Sequence, residues 1–475
     1  MSHRRTTVTV VSLALAALLI EPLAAAGAPA VTSPAASPTT ATRVAAAPAA
    51  ASPAPRPDLP PTLPESDDVV PWESAVGDGD RARSYGLRAA PDRSTHPVDI
   101  VVATPRGATK ANVGRWIRDA DVDTLLAKVS AYWSQQSGGR IRFVRRGAVE
   151  RIKTGDGSCT TTDGILRQVR VGGSRHYGSG WYTSSTRGPG TREHLVVLYP
   201  YRRGDHPDGS RYLATCGGTL GLGSVPSTAG RDNPGGWSFS LFGGPDGAER
   251  GSRFGHAQYR SGVATLAHEL GHNLGLAHSG VGWCEGDADG SFKSRRCGAA
   301  EGLDPLDLMG ADFAAVGTAP LSGAQKRRLG VLPRAETVTV TRTGGNRTVR
   351  IAARHRDNSL PTLVRAVDPR GGQDYFVELR PPVPGVSYPY LGGLPWRAAA
   401  DYTVRYGVTI SRVAGSRSSW ALPGEHLIVP TGPQARRRSS LAEGGTFTTR
   451  TDAMRIKVVA TSGTTARVRV TFPRS

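Results

Sequence analysis

The period of apolar positions changes several times along this 475-residue chain. Val98, Ile100, Val101 and Val102 sit in a short apolar run that reads as a strand. Leu125, Leu126, Val129 and Trp133 then recur at helical spacing, which predicts a helix over 121–136 stopped by Gly138-Gly139. Residues 141–144 read as the next strand. The near-continuous apolar run 194–199 suits a strand buried on both faces. The Gly-rich stretch 216–247 reads as an edge strand and loops bordering the cleft. Val263, Leu266, Ala267, Leu270 and Leu274 restore the helical period, with Ser261 as N-cap, and another helix is expected at 321–329. Beyond about 335 the pattern becomes short, alternating, β-branched runs between Gly, Pro and Ser turns: 337–341, 348–352, 375–379, 404–413, 454–459 and 466–472. The fold class expected is α+β over 97–334, with a mixed sheet, followed by an all-β, sandwich-like domain over 335–475.

The first 96 residues follow none of these periods. Arg4 and Arg5 precede an apolar stretch from Val10 to Ile20, and Ala24-Ala25-Ala26 or Ala26-Gly27-Ala28 offers a small-residue cleavage pattern. Residues 1–28 therefore read as a secretory signal peptide, too short in its apolar part to span a bilayer at about 20 residues. Residues 29–64 are Ala, Pro, Thr and Ser, a composition that cannot bury a core and reads as a linker. Residues 65–96 read as an N-terminal arm or a short propeptide. The expected location is outside the cell, with no transmembrane span.

Export changes how the four cysteines are read. They suggest two disulfides, with three connectivities open. Cys284 and Cys297 flank a short polar loop and are expected to pair, leaving Cys159 with Cys216. No C-x₂-C pair supports a cysteine metal site. The net charge of +20 arises mainly from arginine, since only 6 of the 59 basic residues are Lys. With the wealth of Ala, Gly and Pro, that composition reads as GC-rich codon usage. No specific nucleic-acid partner is expected. Weak adhesion to acidic cell-surface polymers is, because a large positive field attracts polyanions at low salt.

The chemistry is concentrated in HELGHNLGLAH, residues 268–278. His268 and His272 stand four apart and share one helix face. Glu269 lies between them, and Gly275 can take positive φ, ending the helix so that His278 returns toward the same point. Gly271 inside the helix costs roughly 1 kcal/mol against Ala and is expected to clear space beside the metal. Three neutral imidazoles suit Zn²⁺ with one position open. A neighbouring carboxylate can then take a proton from an activated water. Composition alone makes a chance match of order ~10⁻⁵ for a motif with this mechanism. Asp287-Ala288-Asp289-Gly290 resembles a fragment of a calcium loop but lacks the rest of that spacing, so Ca²⁺ is the weaker reading beside a plain turn.

The string HExxHxxGxxH resembles the metzincin clan of zinc endopeptidases, and the longer HELGHNLGLAHS and DPLDLMG look most like gametolysin-type and related bacterial secreted peptidases. The resemblance implies one catalytic Zn²⁺ held by His268, His272 and His278, with Glu269 as general base. It also implies a methionine turn at 304–310, with Met309 beneath the site, 31 residues beyond His278. The 280–303 loop, this turn and the helix at 321–329 would form the lower half of such a domain. The substrates implied are proteins or peptides. Two rival functions are a catalytically silent adhesion protein on a protease scaffold and a zinc hydrolase of cell-wall amides. The intact Glu269 argues against silence.

Overall fold

The computed structural model describes residues 94–106, 117–156, 193–200, 221–223, 235–242, 262–284, 289, 297–300, 304, 306–310, 318–354, 359–383, 402–403, 405–413, 426–428 and 437–473. The expected signal peptide, linker and most of the N-terminal arm lie outside these residues, as do Cys159 and Cys216. Among the described residues no helix is long and apolar enough to cross a membrane.

The first sheet runs β1 (Ser94–Arg106), β2 (Ile141–Arg145), β3 (Glu150–Asp156), β4 (His194–Pro200), β5 (Gly221–Gly223) and β6 (Gly236–Phe242). Its order is β2-β1-β4-β6-β5, with β3 pairing the second half of β1. Every pairing is parallel except that of β5, which lies antiparallel on the edge beside β6. β1 begins at Ser94, ahead of the expected 98–102 run, and Ser94, Thr95 and His96 are already in register with Ile141, Arg142 and Phe143. β4 is covered on both sides. Val196 and Leu198 face the core shared with the helices, while Leu195, Val197 and Tyr199 face Trp237 and Phe239. Helix α1 (Asp119–Gln136) buries Val122, Leu125, Leu126, Val129 and Trp133, the stripe that predicted it. Helix α2 (Gly262–Asn273) packs on α1, β5 and β6 with every residue buried.

A seven-stranded sheet has the order β8-β7-β15-β14-β12-β11-β9. Its strands are β7 (Ser279–Cys284), β8 (Cys297–Ala300), β9 (Thr337–Val340), β11 (Leu363–Val367), β12 (Asp374–Arg380), β14 (Gly407–Val413) and β15 (His426–Ile428). Facing it is a sheet of β10 (Arg347–Ala352), β19 (Thr465–Thr471), β18 (Arg455–Thr461) and β17 (Thr446–Thr448). Val349, Ile351, Ile456, Val458, Val468 and Val470 meet Val364, Tyr375, Val377, Val408 and Ile410 in one core. A short pair, β13 (Tyr402–Thr403) and β16 (Arg437–Arg438), stands apart.

Strands from both sides of the expected 334/335 boundary meet in one sheet. β7 and β8 precede that boundary by some forty residues yet belong to the later sheet, since His426–Ile428 pair in parallel with Ser279–Val281. The short helix α3 (Gly323–Arg328) also reaches across, its Gly323 amide donating to the Glu378 carboxylate on β12. Strands on both sides of 335 therefore share one sheet, and the described strands of the 280–303 stretch, β7 and β8, belong to it.

Cys284 and Cys297 are direct cross-strand partners in the β7–β8 hairpin. Antiparallel partners have Cα atoms about 4.5 or 5.5 Å apart, within the range a disulfide bridges. Non-reducing peptide mapping should recover a 284–297 crosslink. The bond would close a loop of about 14 residues, stabilising by roughly 3 kcal/mol in the chain-entropy treatment. A peptide joining Cys159 to either hairpin cysteine would sink that pairing.

Candidate metal centre

His268 and His272 project from α2, and the end of that helix brings in the third histidine. The Leu276 amide donates to Gly271 O (3.0 Å), and the Gly275 amide to His272 O (2.8 Å). Gly275 sits at φ 90°. This pair of bonds with a left-handed residue closes a Schellman turn, a conformation a side chain at 275 would resist. The turn reverses the chain, so one ligand atom from each of His268, His272 and His278 lies within 4.8 Å of the others. All three rings are buried, and Glu269 is only 3% exposed.

The ring orientations are fixed from behind. His268 Nδ1 stands 2.7 Å from Leu308 O, and His272 Nδ1 stands 2.9 Å from Leu276 O. A carbonyl only accepts, so each Nδ1 carries the proton and each Nε2 keeps its lone pair. His272 Nε2 and His278 Nε2 are 3.0 Å apart. The His272 Nε2 lone pair faces the His278 ring, and with His278 protonated on Nδ1 the two nitrogens would hold a cation between them. Tetrahedral ligands at about 2.0–2.1 Å from a metal have nitrogens a little over 3 Å apart. The donor set therefore fits a metal ion.

The turn carrying Met309 closes the site from below. Met309 is fully buried, and its sulfur lies where a side chain on Gly271 would point. Gly271 thus makes room for Met309 beneath the helix, not for the metal beside it as expected. The Ser279 amide donates to Met309 O (2.8 Å), and the Asp304 amide to Ser279 O (3.0 Å), so the residue after His278 is laced to the turn in both directions. A side chain at Gly310 would run into the Asp304 carbonyl. From α3, Gln325 Nε2 donates to Ala277 O (2.9 Å) and Ser279 Oγ (3.1 Å), bracketing His278. Only the position of Met309 was legible beforehand. Gln325 and the Leu308 carbonyl were not, because neither has a local spacing signature.

Glu269 faces the edge strand. A side chain at Gly221 would strike its carboxylate, and one at Gly223 would come within 3.1 Å of Oε2. Glycines in β5 thus let the backbone of the edge strand lie directly against this carboxylate.

Behind the helix C-terminus lies a buried polar chain. Asn273 Nδ2 donates to Trp237 O (2.9 Å), and Ser238 Oγ donates to Asn273 Oδ1 (3.0 Å). His194 Nδ1 lies 3.3 Å from the same Oδ1, and His96 Nδ1 lies 2.9 Å from His194 Nε2. With Oδ1 as acceptor, His194 donates through Nδ1 and accepts at Nε2 from His96. The chain is complete with both rings neutral. Burial pushes the His194 pKa down to about 4, against a smaller upward effect from Asn273. A depressed histidine contributes stability that is intact above the unfolded value of 6.5 and is lost as pH falls toward about 4. The loss expected across that window is about 3 kcal/mol. Denaturant titrations of the metal-free protein at stepped pH should show it, and His194→Gln should flatten the slope. An unchanged slope in that variant would acquit His194.

The calcium reading loses its central residue. Asp289 is buried, with Oδ1 3.0 Å from Arg412 Nε and Oδ2 accepting from the Tyr375 hydroxyl. A guanidinium already neutralises this carboxylate, which instead pins the β7–β8 hairpin to β12 and β14. Asp287 lies outside the described residues. No family model matches the chain, and a search of curated proteins finds no match.

Proposed function

We propose that this chain is a secreted zinc-dependent endopeptidase of the metzincin type. The observation that carries the proposal is three buried imidazoles, two of them oriented by backbone carbonyls, converging beside a buried carboxylate. His268, His272 and His278 would hold the ion. Zinc, when bound, supplies Lewis acidity toward a carbonyl and makes water a better nucleophile near neutral pH. Glu269 takes the proton from the attacking water. It then returns that proton to the departing amine nitrogen. The Leu308 and Leu276 carbonyls keep the first two imidazoles in the tautomer that leaves Nε2 free to bind a cation.

A peptide substrate is favoured over a cell-wall amide by the position of β5. It is an antiparallel edge strand whose glycine backbone abuts the general base. An extended peptide can add to such an edge through main-chain hydrogen bonds, which places its own carbonyls beside Glu269. The test is metal analysis of the purified chain followed by digestion of a peptide library, of casein and of peptidoglycan. One zinc per chain is expected, with peptide cleavage abolished by chelator and restored by zinc. Zinc-free activity, or release of peptidoglycan fragments without peptide cleavage, would overturn the reading.

A further inference from the structure

The four-stranded sheet turns one face to the core and the other outward, and the outward face carries charge of one sign. Arg350 on β10, Arg455 and Lys457 on β18, and Arg467 and Arg469 on β19 are all exposed. None of the four strands contains an acidic residue. Among the described residues none of these five cations is recorded in an ion pair. The nearby carboxylates of Glu443 and Asp452 sit in flanking turns, and Glu443 accepts from the Thr461 amide and hydroxyl at the end of β18.

The register makes the arrangement costly. Arg350 lies directly opposite Arg467, and Arg469 directly opposite Lys457. Like charges at cross-strand positions destabilise a sheet, and an alternation of cation with Glu would relieve them at no cost to the core. Thr348, Thr446, Thr448 and Thr471 share the outward face in the same rows. Arg469 Nε donates to Thr348 Oγ1 at 3.2 Å, which ties one guanidinium to the neighbouring strand.

We propose that this face is a docking surface for an acidic polysaccharide, whose carboxylates or sulfates meet the five cations and whose hydroxyls meet the threonines. Charge complementarity selects a polyanion. The absence of any aromatic side chain among the outward positions argues for a glycan over nucleic acid. Single strands are held by stacking on aromatics, and a flat sheet face offers nothing to enter a duplex groove. The surface is independent of the metal site, and its test does not depend on enzymatic activity.

The full chain should be retained on immobilised heparin and bind polygalacturonate at about 0.15 M ionic strength, where long-range attraction is already screened. The triple variant Arg350→Gln/Arg467→Gln/Arg469→Gln should bind both at least about tenfold more weakly. It should melt no lower than the parent, because two like-charge pairs have been removed. The triple Lys128→Gln/Arg142→Gln/Lys153→Gln loses the same charge from exposed positions on α1 and on β2 and β3 of the first sheet. It should bind like the parent. Equal weakening by both triples would reduce the effect to net charge and overturn the proposal. So would tighter binding of single-stranded or duplex DNA than of either glycan, or a parent that binds neither glycan.

Discussion

Glu269→Gln should lower kcat by about 10²–10⁴ while leaving zinc content and melting temperature unchanged. The substitution is close to isosteric, which matters because the carboxylate is wedged against the backbone of β5 at Gly221 and Gly223. A larger or smaller residue would move that strand and confuse chemistry with geometry. An amide keeps the space filled but cannot take a proton from water. The side chain lies on α2 beside His268 yet points to the edge strand, so its loss should not disturb the three imidazoles. Those are held by the Leu308 and Leu276 carbonyls and by the Schellman turn. A variant with more than about a tenth of parental kcat would remove Glu269 from the role of general base. A variant that loses zinc as well would show that the carboxylate supports the ion instead.

How much of this was legible follows from how local each signal is. His268, His272 and Gly275 sit within one or two helical turns of each other, so spacing alone predicted a shared face and a chain reversal. The runs at 98–102 and 194–199 are apolar because both faces of β1 and β4 are covered, and that too can be read residue by residue. The β7–β15 pairing cannot. It joins Ser279–Val281 to His426–Ile428 across well over a hundred residues, and neither segment carries a mark of its partner. β12 misleads in another way. Asp374, Glu378 and Arg380 suggest a solvated face, yet every residue of the strand is buried. Beyond the Glu378–Arg380 pair within the strand, its charges answer Arg354, Arg365 and Asp304 elsewhere in the chain, and that complementarity is invisible in a single segment. For β5 the glycines of 216–247 marked an edge strand bordering the cleft, but not its close approach to Glu269. Glycines in a loop-rich stretch signal flexibility as readily as they signal close approach to a carboxylate.

Arg380→Met should destabilise the protein by about 3–5 kcal/mol and loosen the metal site, although the residue belongs to the later sheet. Its Nη1 lies 2.5 Å from Asp304 Oδ2, in the turn that carries Met309, and its Nε lies 2.9 Å from Glu378 Oε2. All three side chains are almost completely buried. Arg354 is the neighbouring cation, donating to Leu306 O and standing 3.8 Å from Glu378. Asp307 completes the cluster by accepting from the Met309 and Ser322 amides at 2.8 and 2.7 Å. Burial pushes the Asp307 pKa up, the Asp304 charge adds to that, and Arg354 and Arg380 oppose it. Removing Arg380 therefore leaves three buried carboxylates facing the Arg354 guanidinium and the Lys326 ammonium, which lies near Asp307 and Glu378. The sign of the pH dependence follows. A carboxylate whose folded pKa is raised keeps its proton longer in the folded state, so its share of stability falls as pH rises through that value. The deficit of Arg380→Met relative to the parent should accordingly be larger at pH 7.5 than at pH 5. The comparison with the parent also cancels the opposite trend expected from His194. At the site, Leu308 O is the acceptor that orients His268, and the turn bearing it would have lost its anchor to β12. Zinc affinity should drop by about 10–100-fold, the usual range when the support behind a ligand is removed. Arg380→Met/Asp304→Asn should recover part of the stability, because one orphaned charge is gone, yet not the zinc affinity, because the anchor is still missing. Recovery of both together would mean that the turn is placed by its own packing, and that the later sheet contributes charge balance alone.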